Sequence, residues 1–112
     1  MSQLLERVKA HAEPTKVRRL EVPEWGEGEQ PLLVTYTMVS LDDLAVVQAA
    51  DGDEWYKRAA RIVALKAMDS DGKRLFSMTD AVTLRESAAP HVVNRIAMAM
   101  LGGITVEEAE KN

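Results

Sequence analysis

Near the start of the chain, apolar residues recur at helical spacing. Leu4, Leu5, Val8 and Ala12 form a narrow stripe, with Glu6, Arg7 and Lys9 facing away. Pro14 ends this helix, because the residue before a proline is pushed out of the α region. A helix so short is marginal alone, so its leucine pair needs a surface to dock on, either the rest of the domain or a neighbouring subunit. Alternation then predicts two strands. Over 16–22, Arg18, Leu20 and Val22 share a face; over 32–39, Leu32, Val34, Tyr36 and Met38 share one, with Thr35 and Thr37 on the other. Residues 23–31 hold two prolines, two glycines and three carboxylates, which reads as a loop too long for a two-residue hairpin turn. No crossover helix fits between the strands, so they pair antiparallel.

Ser40 is placed as an N-cap whose hydroxyl accepts from the amide of Asp42 or Asp43, and those carboxylates suit the positive helix end. Leu41, Leu44, Ala45 and Val47 carry the helix to about residue 50, where Asp51-Gly52 closes it. The next helix opens at Asp53 or Glu54 and runs to about Met68. Its stripe is Trp55, Ala59, Ile62, Val63 and Ala67, opposite Lys57, Arg58 and Arg61. Residues 62–68 are apolar nearly all round, which predicts a central helix or one that meets another subunit. Asp69-Ser-Asp-Gly72 is a turn, and 73–78 a short extended piece. Thr79 is expected to cap a short helix through about Glu86, and Ser87 a further one with Pro90 in its first turn. Val92, Val93, Ile96, Ala97 and Met100 form the stripe of that last major helix, which Gly102-Gly103 ends; Thr105 caps a final polar turn. The prediction is a single α+β domain over 1–112, mostly α-helical with a small antiparallel β-ribbon. It divides into an N-terminal helix at 1–14, the ribbon at 15–39, a helical core at 40–104 and a polar tail at 105–112.

Composition narrows the classes. A chain of 112 residues suits one domain. With 14 Lys+Arg against 18 Asp+Glu, the formal net charge is -4, so no global field draws it to phosphate backbones and no nucleic-acid partner is expected. The lack of cysteine excludes disulfides, thiolate metal sites and a cysteine nucleophile. No apolar stretch approaches the roughly 20 residues that cross a bilayer, and no secretory signal opens the chain, so the expectation is a soluble cytoplasmic protein without membrane partners.

The chemistry of catalysis is missing. Placing Gly72 at the invariant glycine of a calcium loop puts Ala67 and Met78 where the first and last ligands belong. His11 and His91 lie on separate helices, and neither has a second ligand at i+3 or i+4, so no metal is expected. Ser87, His91 and Asp80 lack the nucleophile elbow and oxyanion loop of a hydrolase. Gly26 and Gly28 lack the lysine and helix of a phosphate loop. No catalytic residue and no cofactor is therefore predicted. Lys16, Arg18 and Arg19 form one basic cluster and Arg58 with Arg61 another; each is either a solvated or salt-bridged face, with Glu24, Glu27 and Glu29 as partners, or a phosphate contact. Trp25 is either the plug that pins its loop to the core or an exposed anchor for a partner. Methionine is over-used, and Met98 points with His91 and Arg95 toward the polar side of its helix, a position suited to a protein-binding surface.

The order of these parts resembles the tail assembly chaperones of long-tailed bacteriophages and prophages. The resemblance covers roughly residues 20–108. It is carried by Glu21-Val-Pro-Glu-Trp-Gly26, the Ser40-Leu-Asp-Asp helix start and Met68-Asp-Ser-Asp-Gly-Lys-Arg-Leu-Phe76, followed by Thr79-Asp80 and Leu84-Arg-Glu-Ser87. It implies a non-enzymatic protein of the infected host's cytoplasm that is not retained in the mature virion. Such chaperones bind the tape measure protein, keep it soluble for tail-tube polymerisation, and commonly self-associate as homo-oligomers. Many also exist as a longer frameshifted product that recruits the tail-tube protein, with this chain corresponding to the short form. The resemblance supplies no binding residues. Helix-in-groove capture through Leu4, Leu5, Val8, Met98 and Leu101, with Trp25 as a further anchor, follows from their apolar character and position. The alternatives are a structural tail-completion or head–tail joining protein, and a small nucleic-acid-binding regulator that uses Arg18, Arg19, Arg58 and Arg61.

Overall fold

The computed structural model describes residues 2–11, 16–51 and 54–102. The elements are α1 (Gln3–Ala10), β1 (Val17–Glu27), β2 (Gln30–Thr37), α2 (Leu41–Asp51), α3 (Trp55–Lys66), α4 (Asp80–Ser87) and α5 (Pro90–Met100), with β1 and β2 antiparallel. The class is α+β, mostly helical, as the periodicity predicts. Ala12, Pro14, Gly52, Asp53, Gly103 and the predicted tail at 105–112 lie outside the described residues.

The hairpin corrects the predicted long loop. Glu27 pairs with Gln30, so only Gly28 and Glu29 form the turn. Gly28 has φ 60, and among the described residues no non-glycine has positive φ, the sign pattern of a type II′ turn with glycine first. The extra length goes into a bulge. Between Val22↔Leu32 and Glu27↔Gln30, residues 23–26 of β1 stand opposite the lone Pro31. Pro23 and Pro31 have no N–H to give the ladder, so pairing breaks where both strands carry one. Gly26 is required there: a Cβ would land on the Gln30 carbonyl oxygen and within 2.8 Å of Pro31 Cα. The bulge throws Trp25 against Phe76, edge to face with centroids 6.0 Å apart. It also brings Glu24 to Arg95 of α5, whose Nη1 and Nη2 donate to the carboxylate at 2.8 and 2.6 Å.

Thr35, predicted on the outer face, is buried. Its backbone exchanges two 2.8 Å hydrogen bonds with Met68, which has left α3 by then, so a second backbone segment covers that face of β2. The 73–78 stretch pairs with this segment around Arg74, where Asp69 N–H donates to the Lys73 carbonyl at 2.7 Å and Leu75 N–H to the Ala67 carbonyl at 3.1 Å. The Asp69 turn forms as read: Oδ1 accepts from the amides of Asp71 and Lys73, and Gly72 takes φ 82.

Capping follows sequence at one site and departs at two. Ser40 Oγ accepts from Asp43 N–H while Asp43 Oδ2 accepts from Ser40 N–H, a reciprocal box. Lys66 also donates to that carboxylate at 3.0 Å, tying the end of α3 to the start of α2. Thr79 makes no side-chain cap; the Asp80 carboxylate instead accepts from Ser77 N–H at 2.8 Å, in front of α4. Ser87 is the last residue of α4 rather than a cap, and Ala89 precedes α5 with Pro90 at its first position.

The core forms where α3 meets the other layers. Ala59, Ala60, Ile62, Val63, Ala64 and Ala67 are buried along it. The predicted all-round burial of this helix reflects α2, α4 and α5 packing on different sides of it. The predicted stripe of α5 is buried throughout, and the sheet contributes Val22, Val34 and Tyr36. At the end of α5, Val39 N–H donates to the Met100 carbonyl at 2.8 Å, satisfying a carbonyl the helix leaves without a partner.

The Glu24–Arg95 pair gives a pH test of the hairpin anchor. Hydrogen bonds from Arg95 lower the Glu24 pKa from 4.5 to about 2. Because the folded value lies below the unfolded one, the pair stabilises the fold above pH 4.5, and that contribution fades as pH falls toward 2. Arg95→Gln should therefore lower the urea midpoint at pH 6 and lower it by clearly less at pH 2.5, where part of the pairing still survives. An equal loss at both pH values would assign the effect to packing instead.

Candidate functional site

On an α-helix successive side chains step by about 100°, so α5 presents three faces. Val92, Val93, Ile96 and Met100 point into the core. Arg95 leaves on one flank toward the hairpin. Ala97, Met98 and Leu101 turn to the other flank, where they meet α2 and α3 across a groove of about 330 Å³. Buried Val47, Ala59, Ile62 and Ala97 form its floor. Leu44, Trp55, Met98 and Leu101 rise as walls and remain 37–58% exposed. Gln48, Arg58 and Asn94 supply its polar groups.

Trp55 divides this groove from a smaller depression of about 60 Å³ lined by Tyr56, Arg85 and Pro90. Trp55 and Tyr56 stand edge to face at 6.1 Å. The Tyr56 hydroxyl donates to Glu54 at 2.6 Å, and Lys57 pairs with the same carboxylate at 2.9 Å. Those contacts hold the Glu54 carboxyl below its ordinary range, the Tyr56 hydrogen bond contributing most.

The predicted binding residues separate into three places. Met98 and Leu101 belong to the groove. Leu4, Leu5 and Val8 lie on α1, which has no buried residue, and each is 48–60% exposed. Ser2 Oγ caps that helix by accepting from Leu5 N–H at 3.1 Å. Trp25 sits elsewhere, half-buried, packed on Phe76 and the core at the hairpin tip, so it acts as the plug. It shares a shallow cleft with Leu32 and Leu84 that has no lining residue in common with the groove.

Sequence reasoning placed Trp55 in the stripe of its helix and Leu44 only among the apolar residues of α2, and missed both as walls. The available signal was α2 itself. Leu41, Leu44, Val46 and Val47 spread around the helix rather than along one stripe, so a helix packed on one side must leave some of them exposed.

The chemistry of the groove is that of apolar contact. No carboxylate, imidazole or hydroxyl side chain of the described residues lines it. Among the described residues, no group of three His, Asp or Glu side chains could hold a metal ion. Asp80 is engaged by the Ser77 amide, apart from the imagined partnership with Ser87 and His91. Of the acidic-loop carboxylates, Glu24 pairs with Arg95 rather than with the Lys16–Arg19 cluster. Among the described residues no helix is long and apolar enough to cross a membrane. No protein family, curated protein or solved structure matches this chain.

Proposed function

We propose that this chain is a phage tail assembly chaperone that holds the tape measure protein soluble until the tail tube polymerises around it, without catalysing a reaction. One observation carries the reading: two apolar surfaces stand uncovered on a domain that has already closed its core. One is the Leu4, Leu5, Val8 stripe of α1; the other is the groove walled by Leu44, Trp55, Met98 and Leu101. Apolar faces of this kind suit helix-in-groove capture, in which a client helix lays its own stripe into the surface offered. Methionine suits a client of irregular shape, because its unbranched thioether repacks at little cost. The tape measure protein is long, helical and prone to aggregate, so it presents many such stripes. Self-association through α1, action in the host cytoplasm, and a longer frameshifted form that recruits the tail-tube protein belong to the same proposal.

The test is co-expression with the tape measure protein encoded nearest to this chain. The parent should keep that protein in the soluble fraction and co-purify with it, and mass spectrometry of finished particles should not find the chaperone. Leu4→Glu combined with Leu5→Glu should abolish either the complex or the oligomer, with the circular dichroism of the core unchanged, since α1 buries nothing there. Survival of both assemblies in that variant would remove α1 from the mechanism. Presence of the chain in purified particles would favour a structural tail-completion or head–tail joining protein.

A further inference from the structure

We propose that the outer edge of β1 pairs antiparallel with the same edge of a second copy, joining the two hairpins into one four-stranded sheet. The pairing does not depend on the chaperone reading and uses a surface distinct from α1. It starts from the direction in which the backbone groups of β1 point. Thr35 exchanges both of its backbone hydrogen bonds with Met68, each 2.8 Å long, so its N–H and C=O face away from β1. Arg19 stands opposite Thr35. In an antiparallel ladder the residues of such a pair turn their polar groups away from each other. The register from Val17 to Val22 is unbroken, so by the two-residue period Val17, Arg19 and Glu21 all direct N–H and C=O to the far edge. Among the described residues no strand but β2 pairs with β1, and Val17, Arg19 and Glu21 are exposed. Such an edge row is a template for a further strand. It ends after Glu21, because Pro23 has no N–H and opens the bulge.

The side chains on this row select a second copy as its occupant. For the bonds to form, odd-numbered residues must meet odd-numbered residues. With Arg19 opposite Glu21 of the second copy, two-fold symmetry sets Glu21 opposite Arg19 of the second copy. Each pair then exchanges both backbone bonds and puts opposite charges side by side, the favourable cross-strand arrangement. Between them the two Leu20 side chains, half-buried at the margin of the core, meet at a non-hydrogen-bonded position, where side chains approach most closely. A slip of two residues sets Arg19 against Arg19 or Glu21 against Glu21, so the charges fix a single register.

Sedimentation of the full chain at low salt, from about 10 μM to about 1 mM, should show a concentration-dependent dimer, as suits a small interface. Amide exchange at Arg19 and Glu21 should slow with the same concentration dependence, because those N–H groups gain acceptors in the dimer. Arg19→Glu or Glu21→Arg alone turns both cross-strand pairs into like charges and should weaken the dimer about tenfold. Both side chains are exposed, so the variants should keep the fold. An equimolar mixture of the two variants should dimerise as the parent does, since opposite charges then meet at both positions. No dimer over that range, a dimer whose Arg19 and Glu21 amides exchange as in the monomer, or single variants that dimerise like the parent would each overturn the proposal. Leu4→Glu with Leu5→Glu should reduce any larger assembly to this dimer, and a monomer there would place the contact on α1 instead. If the tape measure protein is held while the β1 edges do not pair, the pairing fails alone. If the edges pair and that protein is not held, the chaperone reading fails alone.

Discussion

Ile96→Ala should cost this domain about 2–5 kcal/mol, the range for removing a fully buried aliphatic side chain that leaves a cavity. Ile96 is 0% exposed and lies at the centre of the inner face of α5. Its neighbours on that face, Val92, Val93 and Met100, are held by the helix and cannot collapse far into the space. α5 also anchors the sheet through Arg95–Glu24 and Val39–Met100, so loosening it reaches the hairpin as well. The total stability of a domain this size is about 5–15 kcal/mol, so the variant should show a greatly lowered urea midpoint. Met98→Ala on the same helix provides the control. Met98 is 39% exposed, so its truncation should cost under about 1 kcal/mol while weakening the binding of a helical client. Comparable losses from the two substitutions would contradict the assignment of α5 to a core face and a groove face.

The core face of α5 was legible because it obeys one period: every residue of the predicted stripe is buried. Met98 was legible for the converse reason, as an apolar residue on a side where the period calls for polar ones. The central place of α3 followed from its loss of amphipathicity after Ile62. The groove was harder to see. A stripe tells which residues share a face, but not how far along the helix the neighbouring layer extends. Trp55 lies in register with Ala59 and Ile62, yet it starts the helix, so its side chain emerges past the floor those residues form. Leu44 belongs to the same problem on α2. The caps at Thr79 and Ser87 failed because hydroxyls near helix starts compete with other local partners. Asp80 took the Ser77 amide, and the Ala89-Pro90 step began α5 without a side-chain acceptor. The hairpin failed on a subtler point. Its two glycines look like one flexible loop, but they answer different demands, Gly28 for a positive φ and Gly26 for the close approach of another backbone.

That distinction leads to a second large effect. Gly26→Ala should destabilise the hairpin more than Gly28→Ala. The added methyl at Gly26 meets the Gln30 carbonyl and the Pro31 Cα, both backbone, and neither can rotate aside as a long side chain would. The strands must part there, and overpacking of this kind costs about 1–3 kcal/mol or more. The bulge holds Trp25 on Phe76 and Glu24 on Arg95, so both contacts loosen with it. At Gly28 the added methyl meets open space, and the cost is only that of holding an L-residue at positive φ, about 1–2 kcal/mol. Tryptophan fluorescence distinguishes the cases when recorded in a Trp55→Phe background, where Trp25 is the sole emitter. Gly26→Ala should shift emission to the red as Trp25 leaves its half-buried seat, and Gly28→Ala should leave the native spectrum in place while lowering the urea midpoint modestly. If the Gly26 variant keeps both the spectrum and the midpoint of its parent, the bulge is not the rigid seat on which Trp25 depends.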